Sequence, residues 1–148
     1  MTFLEAIARY VCAHSGGTQY TDANEAVHVT AALEYGRSCF LHETPNDKRV
    51  PLVVLKWGEE DDSLPADDPR ELQTVAFVVY SADWHENDAR VRELKAILGT
   101  GKLVVPDDSS PRFHARVESC PKPQPEGREE QTNRCVSIAN VQFQYVTL

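Results

Sequence analysis

The clearest pattern of hydrophobic and polar positions lies in residues 72–98, LQTVAFVVYSADWHENDARVRELKAIL. Its first part is a β-branched apolar run, and its second part has apolar positions at helical spacing after Asp83 and Glu86, a capping-box pair. Because the run places apolar residues on both faces, it predicts a central strand at 72–80 with a helix over at least one face. The second part predicts a helix at about 84–98.

A second helix is predicted at residues 2–14. Thr2 and Glu5 form another capping box, in which each side chain accepts a hydrogen bond from an otherwise unpaired backbone N–H group. Apolar residues then recur on one helical face, at Leu4, Ile7, Ala8 and Val11.

The hydrophobic pattern of residues 21–35 fits both the period of a strand and that of a helix. The alternation of Val27, Val29, Ala31 and Leu33 favours a strand, but the Ala and Glu content also allows a helix. Shorter strands are predicted elsewhere from β-branched or alternating residues, at 38–42, 49–57, 102–105 and 113–118.

The chain ends in a strand pattern, CVSIANVQFQYVTL. Val136 and Ile138 share one parity, whereas Val141 and Phe143 share the other. A bulge at 139–140 would place all four on one face.

Two polar segments are predicted to be loops: one at 58–71, with six acidic residues between Glu59 and Asp68, and one at 121–134 that is rich in proline. No internal repeat is visible. The expected architecture is a single α+β domain over residues 1–148, with a mixed or mostly antiparallel sheet packed against the two helices.

Composition limits the function. A chain of 148 residues with 41% hydrophobic and 26% charged residues is typical of one globular domain. No apolar run is long enough to span a membrane, and the N-terminus lacks a signal-peptide layout, so we expect folding in a cytoplasm. The net charge of −8 disfavours nucleic-acid binding, which depends on Lys and Arg neutralising phosphates.

The residues that carry chemistry are scattered. Cysteines at 12, 39, 120 and 135 form no C-x-x-C pair, and free thiols are favoured over a disulfide between Cys120 and Cys135. The five histidines lack the spacing of a metal site. The acids of residues 59–68 come in adjacent pairs and not at the alternating positions of a calcium loop. We therefore expect no catalytic residues, no metal and no cofactor.

Three segments in this order, MTFLEAIARYV, VAFVVYSADWHENDARVRELKAIL and VSIANVQFQYV, resemble tail terminator (tail completion) proteins of long-tailed bacteriophages, which are often described as minor tail proteins. The stretch FLHETPNDKRVP is similar to the strand and turn after the first helix of that family. The resemblance covers roughly half of the chain and lies in the order of the elements.

The resemblance implies a structural virion protein and not an enzyme. Family members form a homohexameric ring that terminates the growing tail tube and joins it to the head. The implied partners are copies of the chain itself, the tail tube protein and the head–tail connector protein, with DNA passing through the lumen without specific binding and no membrane contact. The implied location is the tail–head junction of the virion, after assembly in the host cytoplasm.

The resemblance also suggests which residues make contacts. The loops at 58–71 and 121–134 are expected to reach the tube or neighbouring subunits, and the last strand is expected to be an edge that pairs with a neighbour. The candidate interaction residues are Glu59, Glu60, Asp61, Asp62, Asp67, Asp68, Pro123, Pro125, Arg128, Phe143 and Tyr145.

Two other functions stay open. The chain is alternatively a small binding module, such as a phage-encoded inhibitor or an adaptor, or another head–tail connector component. An enzyme with a site assembled from scattered residues is the third hypothesis. Three observations would distinguish these hypotheses. A structural ring component should form an oligomer, a binding module should be a monomer with an apolar patch, and an enzyme should have a pocket that contains titratable residues of shifted pKa.

Overall fold

The computed structural model describes residues 1–44, 50–60, 67–104, 112–130 and 132–148, with the backbone alone at 59 and 60. These residues form helices α1 (Phe3–His14) and α2 (Trp84–Ile97). They also form strands β1 (Gln19–Thr21), β2 (Val27–Val29), β3 (Cys39–Leu41), β4 (Leu52–Glu60), β5 (Glu71–Ser81), β6 (Leu103–Val104), β7 (Phe113–Ser119), β8 (Gln124–Arg128) and β9 (Cys135–Thr147). The predicted α+β class with two main helices is confirmed.

The main sheet is mixed and mostly antiparallel, as predicted. Its strand order is β3-β4-β5-β9-β7-β6, and β8 pairs with β9 beside β7. The β3–β4 pair is parallel, and the other strand pairs of this sheet among the described residues are antiparallel. β1 and β2 form a separate hairpin. Strand β5 lies between β4 and β9, so its two-faced apolar pattern correctly predicted an interior strand.

Both helices begin at the caps that the sequence predicted. The Thr2 hydroxyl accepts a hydrogen bond from the backbone N–H of Glu5 at 3.2 Å. The Asp83 carboxylate accepts one from the N–H of Glu86 at 2.9 Å, and the Glu86 carboxylate accepts one from the N–H of Ala82 at 3.2 Å. Local side chains therefore satisfy orphan donors at each helix start. The capping box is reciprocal only at α2, because the Glu5 carboxylate of α1 accepts hydrogen bonds from Arg9 at 3.0 and 3.1 Å instead.

The prediction that the last strand is a sheet edge is wrong. β9 pairs with β5 on one side and with β7 and β8 on the other. Its backbone hydrogen-bonding groups are therefore used inside the subunit along most of its length, and a neighbouring subunit has no free edge there to extend.

The predicted bulge in β9 is also wrong. Its register with β5 runs without a shift from Ser81↔Cys135 to Glu71↔Tyr145. The two parities serve two covered faces: Val141 and Phe143 lie in the main core, whereas Val136 and Ile138 pack against a smaller cluster on the opposite face. A strand that is apolar on both faces needs no bulge.

The two predicted loops are shorter than expected. β4 extends to Glu60 and β5 begins at Glu71, so residues 58–60 and 71 belong to strands. β8 lies within the predicted loop at 121–134 and pairs with the start of β9. Polar side chains do not prevent pairing, because the backbone groups make the ladder whatever the side chains are. In the ambiguous segment 21–35, Thr21 ends β1 and Val27–Val29 form β2, and no helix is present.

The helices cover one face of the sheet. The main core joins α1 and α2 to the inward residues of β4, β5, β7 and β9, and its fully buried members include Leu4, Ile7, Phe77 and Phe143. The smaller cluster on the opposite face contains Leu52, Val54, Val78 and Tyr80 and no helix residue. No helix in the described ranges is long and apolar enough to cross a membrane.

Candidate functional site

The acidic segment lies at the end of the β4–β5 pair. Glu59 and Glu60 are the last residues of β4, and Asp61 and Asp62 lie outside the described residues. Asp67 is exposed, whereas Asp68 is half-buried. Glu60 pairs with Gln73 and Glu71 pairs with Tyr145, so the last residue of β4 lies at the same end of the sheet as Tyr145.

Asp68 is held by Arg70. The guanidinium donates to the Asp68 carboxylate at 2.6 and 2.9 Å, and the backbone N–H of Arg70 donates at 2.8 Å. These hydrogen bonds lower the pKa of Asp68 to about 2. The Gln144 side-chain amide connects Arg70 to Glu118. In the orientation that satisfies both neighbours, its oxygen accepts a hydrogen bond from Arg70 at 2.8 Å and its nitrogen donates one to Glu118 at 2.6 Å. A polar ladder thus crosses the helix-free face.

The two core-side aromatic candidates do not form an exposed contact site. Phe143 is fully buried in the main core, so it is not available to a partner, which corrects the prediction. Tyr145 is half-buried and stacks on Phe3 with ring centroids 3.8 Å apart. Burial, and then the hydrogen bond to Glu71, raise the pKa of the Tyr145 hydroxyl.

The prolines of the second polar segment line a groove. Strand pairing along β9 is interrupted between Ser119, opposite Gln142, and Gln124, opposite Ile138. The intervening residues contain two prolines, which lack the N–H needed to pair. Pro123 of this interruption and Pro125 of β8 line a groove of about 720 Å³ whose other wall is α2. Arg128 lies farther along β8 and donates to the Asn133 carbonyl at 3.0 Å.

Buried polar residues form the floor of this groove. Asn87 of α2 is 2% exposed, and its amide donates to the carbonyls of Val79 and Cys135 at 3.2 and 3.3 Å. The Ser137 hydroxyl donates to the Asn87 side-chain oxygen at 2.5 Å. The α2 wall of the groove is therefore fixed against β5 and β9. Sequence reasoning missed Asn87, because its partners are distant in the chain.

The groove is positively charged at its rim, although the protein carries a net charge of −8. Arg92 and Lys95 of α2 lie on one side and Lys122 on the other. Asp88 is the acidic lining residue, and Arg92 pairs with it at 3.4 Å. Trp84 at the helix start is 37% exposed and lines the same groove. A basic rim around apolar surface is suited to an acidic segment with an apolar centre.

A buried ionic network lies on the other side of α2. Arg90 is 1% exposed, and it donates to Glu93 at 3.0 Å and to the Ala31 carbonyl at 2.6 Å. Glu93 also accepts hydrogen bonds from the hydroxyls of Ser15, Thr18 and Thr30 at 2.5, 3.4 and 3.5 Å. The network fixes residues 15–33 to α2, which is a structural role.

Two thiols lie together between α1 and β3. The hydrogen bond from Cys39 lowers the pKa of Cys12, and the nearby Arg90 and Arg9 act in the same direction against desolvation. The hydrogen bond to Cys12 and burial raise the pKa of Cys39. All four cysteines are free, including Cys120 and Cys135.

Several apolar side chains are exposed on strands. Val27 and Val29 of β2 are 61% and 67% exposed, and Leu103 of β6 is 69% exposed. Trp57 is 44% exposed beside a groove of about 510 Å³ on the helix-free face. Among the described residues, no three His, Cys, Asp or Glu side chains are grouped as metal ligands.

Comparison of the sequence with protein-family models and with curated proteins finds no match.

Proposed function

We propose that this chain is a structural subunit that assembles with copies of itself into a closed ring, as tail terminator proteins of long-tailed bacteriophages do. The observation that carries the proposal is the presence of exposed apolar residues on two different strand edges, β2 and β6. The implied partners, the tail tube protein and the head–tail connector protein, are part of the same proposal.

The exposed edges of β2 and β6 combine backbone groups that can pair with another strand and apolar side chains. Within the described parts of the chain, β2 pairs with β1 alone and β6 pairs with β7 alone. Val27, Val29 and Leu103 are each more than half exposed there. Unpaired strand edges with apolar side chains promote association, so a monomer would normally protect them.

The edges belong to different elements, which favours a heterologous contact. When one patch of a subunit meets a different patch of the next, the contacts form a ring if the rotation closes. The β1–β2 hairpin is connected to α2 by a hydrogen bond from the Tyr20 hydroxyl to Glu86 at 3.3 Å, and its base is closed by one from the Thr18 N–H to the Thr30 hydroxyl at 2.7 Å. The net charge of −8 would also disfavour adsorption of DNA passing through a lumen.

Light scattering over a concentration series, with and without tail tube protein, tests the proposal. We expect a ring-sized particle, formed either by the protein alone or on tubes. The double variant Val27→Thr, Val29→Thr keeps β-branched side chains but removes apolar surface, so it should weaken association while preserving the fold. Leu148→Ser is the matched control, because Leu148 is 63% exposed at the chain end and outside both edges. A protein that stays monomeric with and without tubes would contradict the proposal.

The groove between α2 and β8 supports a second candidate, a small binding module. A groove of this size lies in the range of ligand sites, and its basic rim beside an exposed tryptophan favours a ligand that is acidic and partly apolar. If the scattering experiment finds a monomer, this second function becomes the preferred one.

A further inference from the structure

We infer that the groove between α2 and the 122–125 segment binds the acidic segment, residues 58–69, of a second copy of the chain. This inference rests on the proposed function and deepens it, because it identifies a contact between neighbouring subunits. It concerns a surface separate from the exposed strand edges.

The charges of the two surfaces are complementary. The groove rim carries Arg92, Lys95 and Lys122, against one acidic lining residue. Among the described residues, no carboxylate forms an ion pair with Lys95 or Lys122, whereas Arg92 already pairs with an acid. The segment carries six acids within ten positions, Glu59, Glu60, Asp61, Asp62, Asp67 and Asp68. Opposite charge steers two such surfaces together and fixes their register.

The apolar parts are complementary as well. In the sequence of the segment, Leu64 and Pro65 separate the two groups of acids. In the groove, Trp84, Val91 and Pro123 provide apolar surface alongside the basic residues. A volume of about 720 Å³ lies in the range of sites that hold small ligands. An acidic peptide with an apolar centre therefore fits this groove in both charge and polarity.

The segment of the same subunit cannot occupy the whole groove. Ser137 of the groove floor pairs with Val79, and the segment returns to the sheet at Glu71, eight residues away along β5. At about 3.3 Å per residue the separation is about 26 Å. A ten-residue connection that leaves β4 and returns to β5 reaches at most about 17 Å from its base, even when fully extended. A second copy has no such restriction.

The location of the two surfaces toward opposite ends of β5 makes the contact head-to-tail. Each subunit would use its groove for one neighbour and its acidic segment for the other, which is the heterologous arrangement of a ring. Because the interaction is largely between exposed charges, it should weaken as salt is added.

Charge reversal tests the contact. The groove variant is Lys95→Glu with Lys122→Glu. The segment variant is Glu59→Lys, Glu60→Lys, Asp61→Lys and Asp62→Lys together, which leaves four lysines against two acids in residues 59–68 and so makes the segment positive. The control Arg37→Glu with Arg112→Glu makes the same change in net charge as the groove variant but lies outside the groove. We expect each of the first two to weaken self-association by at least about tenfold in light scattering, and the control to change it by less than about threefold.

An equimolar mixture of the groove and segment variants is the decisive sample. Each variant alone has like charges on its groove and its segment, but the mixture restores both opposite-charge pairs in alternating copies. Association should return to near the level of the unmodified protein, which only a contact between different copies explains. A blocked synthetic peptide of residues 58–69 should also bind the unmodified protein, with NMR shifts confined to the groove and lost in the groove variant.

The outcomes separate the two proposals. Association that is indifferent to all the reversals overturns the groove contact and leaves the ring in place. A monomeric protein that still binds the peptide in the groove supports the recognition but overturns the ring. A monomeric protein that does not bind the peptide overturns both. Circular dichroism and thermal unfolding show that the variants are folded.

Discussion

Replacement of Glu93 by alanine should destabilise the protein strongly. Glu93 accepts hydrogen bonds from Arg90, Ser15, Thr18 and Thr30, and its removal leaves the Arg90 guanidinium buried without its carboxylate. Arg90 is 1% exposed, and its Nε has no hydrogen-bond partner among the residues that the structure describes. Removal of one member of a buried ion pair costs about 3–5 kcal/mol. Since a domain is stable by about 5–15 kcal/mol, the loss would be a large fraction of the total.

Urea unfolding monitored by circular dichroism measures this loss. Arg92→Ala on the same helix is the matched control, because its ion pair with Asp88 is exposed and should contribute less than about 1 kcal/mol. The double variant Arg90→Met, Glu93→Leu removes both charges and should be clearly more stable than Glu93→Ala alone.

Two results would refute this reasoning. A loss below about 1 kcal/mol for Glu93→Ala would mean that the buried arginine finds water or another acceptor. A double variant as unstable as the single one would mean that packing, and not an unpaired charge, determines the cost.

Further predictions concern backbone, thiols and pH. Gly17→Ala should destabilise the protein more than Gly36→Ala, as measured by urea unfolding. Both glycines have positive φ, which alone makes alanine cost about 1–2 kcal/mol at either position. At Gly17 a Cβ would in addition collide with the Thr30 carbonyl oxygen, whereas at Gly36 it would meet no atom. Cys12 should react with iodoacetamide faster than Cys120 near pH 8. Both thiols are half-buried, but the pKa of Cys12 is lowered and that of Cys120 is raised. Peptide mass spectrometry measures both rates, and equal rates would contradict the hydrogen bond between Cys12 and Cys39. NMR titration of Asp68 should give a pKa near 2, and because this pKa is lowered from 3.8, the stabilisation from its hydrogen bonds should be complete above pH 3.8 and disappear as the pH falls through 2.

Local patterns in the sequence determined the parts of the fold that depend on nearby residues. The helix starts at Thr2 and Asp83 follow from side chains that bond backbone groups three positions away. The alternation in β7 correctly predicted a strand with one buried face, because side-chain direction has a period of two. The interior position of β5 followed from its apolar residues on both faces.

Tertiary structure decided the features whose partners are distant in the chain. The two parities of β9 are compatible with a bulged edge or with a straight interior strand, and only the clusters on both faces select the latter. The backbone of β8 pairs although its side chains are polar, so composition could not reveal it.

The same distinction applies to the candidate site. The acidic segment is visible as a run of carboxylates, and Pro123 and Pro125 are visible as members of one polar segment. The groove itself exists only because the interruption between β7 and β8 faces α2, which brings residues 84–95 against 122–125. Sequence periodicity reports which face of an element is apolar, but it carries no information about which other element will lie across from it; packing in three dimensions determines that.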